Sequence, residues 1–318
     1  MGILDRLFGK RGADGGGKSA TPREHQNDDL REPAIWLRRV EGPKTQSRLG
    51  GLPSLPAGID WPRQTASGTP LHFLAQIDLS EMPPTPLDAA IDDARLPSRG
   101  MLYFFADIEE EMLWGWGDER GDDYAASRVI FAEMPGPDRA PPADIPEIGH
   151  AFGEMSGGYA RGLTIYPARS VQPHVIETFA GAERYFQGGD SVLADELTVA
   201  SIERATGRPL PVLATSAPRD ETNKHPAYWL EYHYTNGQPP RREVRIARHQ
   251  MLGAAINVQN TADAARQAGH VLLLQIDSDY GVDDSFVFCD MGMAQFWIKP
   301  EDLAAGRFER AWGTTEGG

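Results

Sequence analysis

The stretch FLAQIDLS, Phe73–Ser80, returns almost unchanged as LLLQIDSD, Leu272–Asp279. An apolar run ending in Gln-Ile-Asp suits a strand that is buried on both faces and whose end reaches a polar boundary. The repetition extends further. GMLYFF at Gly100–Phe105 follows the first word and GMAQFW at Gly292–Trp297 follows the second, while LGGLP at Leu49–Pro53 precedes the first as LGAAI at Leu252–Ile256 precedes the second. The same order in both halves points to duplication of one unit, with the unequal intervals absorbed by loops. If the two strands are buried, Gln76 and Gln275 need partners for their amides. Asp78 and Asp277 are placed to accept backbone N–H groups of the turn that follows each strand.

Punctuation elsewhere agrees with a β-rich chain. The 25 prolines and 34 glycines fall mostly between short apolar runs, which argues for many short strands and against a helical bundle. The best strands are PLHFLAQIDL, RGMLYFFADI, YAASRVIFAEM, AYWLEYHYT, HVLLLQID, SFVFCDM and MAQFWI, all rich in aromatic or branched residues. Helical spacing appears in DSVLADELTVASIERATG, in TADAARQAG and in KPEDLAAGRFER, the last opened by Pro300. The expected fold class is α+β, mainly β, with internally duplicated halves sharing one core, about 32–180 and 207–318, and a few peripheral helices.

Residues 1–31 read as a separate piece. Ile3, Leu4, Leu7 and Phe8 make a short amphipathic helix beside Arg6, Lys10 and Arg11, and a Gly-rich tether follows. Peripheral contact with an anionic membrane through this helix is a weak expectation, because it is little longer than two turns; docking on its own domain or on a neighbour suits it better. The start lacks a secretory h-region, and the single cysteine, Cys289, excludes an internal disulfide, so the expected compartment is the cytoplasm. A formal charge of -15 repels nucleic-acid phosphates and favours basic protein partners.

In order along the chain, LGGLPSLPAGIDWP, PLHFLAQIDLSEMP, LPSRGMLYFF, HQMLGAAINVQ, LLLQIDSD and DMGMAQFWIKPEDL resemble the YwqG-like proteins, a mostly bacterial family without an assigned activity. The resemblance spans roughly Pro33 to Phe308. It implies a β-rich α+β fold with internal duplication, and it supplies no catalytic residues. The chain departs from the family at Leu252-Gly253-Ala254-Ala255, where an aromatic and a proline often follow the glycine, and at Phe288-Cys289-Asp290, where a Trp-Gly-Asp-like turn is usual.

No phosphate-binding loop, dinucleotide fingerprint, nucleophile elbow or zinc-helix motif occurs, which lowers the expectation of catalysis. Asp277, Asp279 and Asp283 are dense enough to suggest Ca²⁺, but the spacing fails the EF-hand order, and a solvated acidic loop accounts for them. His249, with no metal-spaced His or Cys beside it, reads as a core or boundary imidazole, and Cys289 as an inert thiol. Trp61, held extended by Pro62, either anchors a core or lines a concave face.

Two functional expectations follow. The first is a non-catalytic cytoplasmic protein-binding module, of immunity or regulatory type, that masks a basic partner through acidic loops bearing Trp114, Trp116, Asp118 and Tyr159. The second is an enzyme, small-ligand or metal-binding protein whose pocket lies between the halves, lined by Trp61, Gln76, Asp78, His249, Gln259, Gln275 and Asp277.

Overall fold

The computed structural model describes residues 31–40, 42, 45–65, 67–83, 96–107, 126–148, 162–179, 200–207, 227–231, 242–246, 248–278, 288 and 292–316. The strands are β1 (Arg31–Arg39), β2 (Arg48–Leu49), β3 (His72–Asp78), β4 (Met101–Ala106), β5 (Ser127–Ala132), β6 (Arg169–Phe179), β7 (Ala227–Glu231), β8 (Arg242–Ile246), β9 (Gln250–Met251), β10 (Val271–Asp277), β11 (Met293–Ile298) and β12 (Trp312–Glu316). Ten of them form one sheet in the order β12-β11-β10-β9-β1-β6-β2-β3-β4-β5, and β7 pairs with β8 alone. Every pairing is antiparallel. Helix is sparse among the described residues: 200–206, Thr261–Gln267 and Pro300–Ala304, with Pro300 in the first turn as the sequence suggests. The fold is mainly β.

The apolar words are explained by burial on both sides of this sheet. β3, β4, β10 and β11 are buried along almost their whole length. The sheet curls, and its inner face encloses a core that includes Ile35, Leu37, Leu74, Phe104, Ile276 and Phe296. At its centre the rings of Phe104 on β4 and Phe296 on β11 meet edge to face, with centroids 5.1 Å apart. Each end of the sheet carries a second apolar layer on the outer face. One holds Leu55, Trp61, Phe73, Tyr103 and Phe105, and the other Ala262, Ala265, Leu272 and Trp297.

Curling brings the two edges together without a backbone ladder. The Gly313 N–H of β12 donates to Ser127 Oγ of β5 at 2.7 Å, and Phe308 stacks on Phe131 of β5 at 5.5 Å. The sheet is therefore a near-barrel whose edges shield one another.

The central pair, β1 and β6, is absent from the sequence-based strands, and proline is the reason. Pro33 lies in β1 and Pro173 in β6, and an internal proline normally excludes a central strand. Parity resolves this. The Leu37 N–H points to His249 O on the β9 side, so odd-numbered residues of β1 direct their backbone groups away from β6. Pro33 pairs with Glu177 and Pro173 with Leu37, both at positions where the ladder needs no N–H. The outward N–H of Glu177 is taken instead by Ser201 Oγ at 2.6 Å.

About the β1–β6 pair the sheet order reads the same outward in both directions, β9-β10-β11-β12 one way and β2-β3-β4-β5 the other. The registers also match. Arg48, Gln76, Tyr103 and Ile130 lie in one row across β2 to β5, and Gln250, Gln275, Gln295 and Thr314 lie in one row across β9 to β12. A register shift falls at Phe73/Ala75 in the first set and at Leu272/Leu274 in the second.

Of the expected elements, DSVLADELTVASIERATG lies within the described residues only over 200–207, AYWLEYHYT only over 227–231 and SFVFCDM only at Phe288. Residues 1–30 lie outside them. The parity argument yields a contrast within one strand: Pro173→Ala should change unfolding free energy by less than about 1 kcal/mol, whereas Gln172→Pro removes a ladder N–H and should cost about 3 kcal/mol or more. Urea unfolding of the two variants checks it.

Candidate functional site

The row positions Gln76 and Gln275 hold two loops against the outer face by the same bonds. Gln76 is fully buried; its Nε2 donates to Gln46 O at 2.9 Å, and its Oε1 accepts the Ser54 N–H at 2.9 Å and the Ser54 hydroxyl at 3.1 Å. Gln275, equally buried, donates to Arg248 O at 3.0 Å and accepts the Ile256 N–H at 2.9 Å. The next strand completes each frame. Tyr103 Oη donates to Ser54 O at 2.7 Å, and Gln295 Nε2 donates to Ile256 O at 2.7 Å. Burial pushes the Tyr103 phenol above its usual range, which keeps it a donor.

Between the clamped ends each loop makes its turn with two consecutive left-handed residues: Gly50 and Gly51 at φ 59° and 74°, then Leu252 and Gly253 at φ 61° and 70°. Arg48 Nη2 caps Leu52 O in the first loop, and Gln250 Nε2 caps Ala254 O at 2.9 Å in the second. The bonds match Ser54 with Ile256 and Gly50 with Leu252. This shifts the LGG and LGA letters by one residue relative to their spelling. Leu252 occupies a position that favours glycine, at a cost of roughly 1–2 kcal/mol, which burial of its side chain in the core offsets.

The frames differ in their polar chemistry. The Asp78 N–H is accepted by Ser47 Oγ at 2.9 Å, while the Asp277 N–H is accepted by His249 Nδ1 at 3.2 Å. As an acceptor at Nδ1, a neutral His249 carries its proton on Nε2. The carboxylates diverge as well. Asp78 Oδ1 accepts the Ser80 N–H at 2.9 Å, as the sequence suggests, but Asp277 Oδ2 turns back to the Arg248 N–H at 3.0 Å. In the first frame Glu81 does that work, accepting the Gln46 and Ser47 N–H groups at 2.7 and 2.9 Å. The second frame thus buries Arg248, His249 and Asp277 together, with Arg248 Nη2 donating to Gln250 Oε1 and to Ala254 O, both at 3.0 Å.

The remaining candidates disperse. Trp61 is a core anchor whose Nε1 donates to Leu71 O at 2.8 Å and whose ring meets Phe105 edge-on at 5.3 Å. Gln259 is exposed, and its N–H goes to Glu316 Oε2 at 3.0 Å. Glu316, fully buried, also accepts the N–H groups of Val258 and Ala262, and so seats the start of the Thr261–Gln267 helix; sequence reading missed it. Trp114, Trp116, Asp118, Tyr159, Asp279, Asp283 and Cys289 lie outside the described residues. Among the described residues no three metal-ligating side chains gather to hold an ion.

Both frames fall inside one family pattern. The model of a domain of unknown function, DUF1963, matches residues 47–316, from Ser47 in the first frame to Glu316 at the end of β12. The chain belongs to this family. A search of the curated proteins found no match. Among the described residues no helix is long and apolar enough to cross a membrane.

If the frames are scaffolding, Gln76→Leu and Gln275→Leu should each lower unfolding free energy by about 2–4 kcal/mol, since each strands buried backbone groups worth about 1–3 kcal/mol apiece. Chemical denaturation measures this. A loss below about 0.5 kcal/mol would mean that the amides are held ready for a ligand and not for the loops.

Proposed function

We propose that the chain is a non-catalytic cytoplasmic module of YwqG-like type, built by duplication of one β unit, that binds a basic protein in an immunity or regulatory role. The observation that carries this reading is the internal use of the polar residues. Gln76, Gln275, Asp277 and the Trp61 indole are committed to backbone bonds that hold the loops, and the Phe104 and Phe296 rings meet within the enclosed core. Recognition then falls to the surface, where opposite charge speeds encounter with a basic partner.

The sequence joining β4 to β5 supports this. Over residues 107–123 it carries eight acidic side chains against the single Arg120, interleaved with Trp114 and Trp116. Aromatics set among charges of one sign combine steering with contact energy, as hot-spot residues do.

The test is capture of a partner by the full chain, followed by stopped-flow association at about 20 and 200 mM NaCl. The expected outcome is an on-rate that falls roughly tenfold or more with salt, and a dissociation constant raised roughly tenfold or more by Trp114→Ala or Trp116→Ala. A basic partner that associates equally fast at both salt concentrations sinks the proposal.

A further inference from the structure

At the centre of the sheet, Trp36 and Arg38 of β1 lie opposite His174 and Gln172 of β6. They share the outer face, since their neighbours Ile35 and Leu37 face the enclosed core. The Trp36 and His174 rings stand 5.9 Å apart at 40°, and Arg38 is the diagonal neighbour of His174, within reach of a long side chain. Arg38 Nε and His174 Nε2 are both buried, and neither meets a hydrogen-bond partner among the described residues.

Arg48, Arg63, Arg204, Arg266 and Arg307 each face a carboxylate, from Asp138, Asp144, Glu177, Glu32 and Asp302 respectively. No carboxylate among the described residues faces Arg38, although the chain holds 46 acidic residues against 31 basic ones. Buried polar groups are nearly always satisfied, so a guanidinium and an imidazole nitrogen lying together without partners suit completion by an acceptor-rich ligand.

We infer that Arg38 and His174, bounded by the Trp36 ring, form a binding site for a small oxyanion, a carboxylate or phosphate group. The guanidinium fork offers parallel N–H donors spaced for two oxygens. Burial, and after it the charge of Arg38, holds His174 below its ordinary range, so the ring is neutral near pH 7. In the tautomer that carries its proton on Nε2, the ring presents an N–H beside Arg38. Because both atoms are shielded when the site is empty, binding swings the half-buried Arg38 side chain outward, and the anion then bridges the two donors. This site is independent of the proposed protein-binding surface.

The experiment uses the full chain with 15N-labelled histidine. Sodium phosphate, succinate and chloride are titrated at matched ionic strength, while the His174 ring nitrogens are followed by NMR and the melting temperature is recorded. Phosphate or succinate should shift the Nε2 resonance saturably and raise the melting temperature, and chloride should do neither. Stronger binding of phosphate names a phosphate ester as the ligand class, and stronger binding of succinate names a carboxylate. Arg38→Gln should weaken binding at least tenfold. Arg38→Lys, which keeps the charge and loses the fork, should fall between, and circular dichroism verifies that both variants are folded. Equal responses to chloride and phosphate, no saturable shift, or an unchanged affinity in folded Arg38→Gln overturns the assignment.

Discussion

Two buried primary amides, Gln76 and Gln275, let the chain leave the sheet and lie flat across it. Each loop turns through two left-handed residues immediately after a two-residue strand, β2 or β9, and the chain beyond the turn leaves the ladder. An amide side chain rising from the sheet offers an acceptor to the N–H beyond the turn and a donor to the carbonyl before it. Apolar side chains could not do this, because a hidden backbone group without a partner costs about 1–3 kcal/mol. With the loops anchored, Leu55 and Trp61 can cover one end of the outer face, and Ala262 and Ala265 of the following helix can cover the other. A sheet covered on both faces can then have strands such as FLAQID and LLLQID that are apolar at nearly every position.

Since one frame would suffice as a template for the other, their differences are informative. Both need an acceptor for the aspartate N–H at the strand end and one for the N–H of Gln46 or Arg248. The first meets these needs with Ser47 and Glu81, the second with His249 and Asp277. The exchange concentrates ionisable groups in the second frame, where Arg248, His249 and Asp277 are all buried. Each still bonds to the loop or the strand end, so the arrangement reads as a second solution to one structural problem.

Much of this was legible in the sequence, and the gaps have physical causes. Strands β3, β4, β10 and β11 announced themselves because burial on both faces leaves an uninterrupted apolar run. β1 and β6 did not, because REPAIWLRR and RSVQPHVIETF hold charges and prolines, and only the pairing parity shows why proline is harmless there. The repeated turn was visible but misaligned by one residue, since Leu252 takes a backbone shape that spelling associates with glycine. Glu316 was invisible because its three N–H partners lie 54 to 58 residues away and no local pattern links them. Of the proposed pocket residues, His249, Gln275 and Asp277 do meet, Gln76 and Asp78 belong to the other frame, and Trp61 and Gln259 stand apart, because side chains that resemble ligands in a string are here paired with backbone.

The junction of the two frames obeys a different logic. Every position repeated in both frames is tied to a turn, a strand end or a loop, so a change there must preserve a bond that the fold needs. On the outer face of β1 and β6, between the frames, Thr178 still serves a loop, its Oγ1 accepting the Ala254 N–H at 2.8 Å. Arg38 Nε and His174 Nε2, by contrast, lie buried there beside the Trp36 ring without a hydrogen-bond partner among the described residues. Selection for stability alone would pair Arg38 with one of the chain's many carboxylates, or replace it with an uncharged residue. The oxyanion inferred for this place brings the negative charge that the chain itself does not set against Arg38 among the described residues.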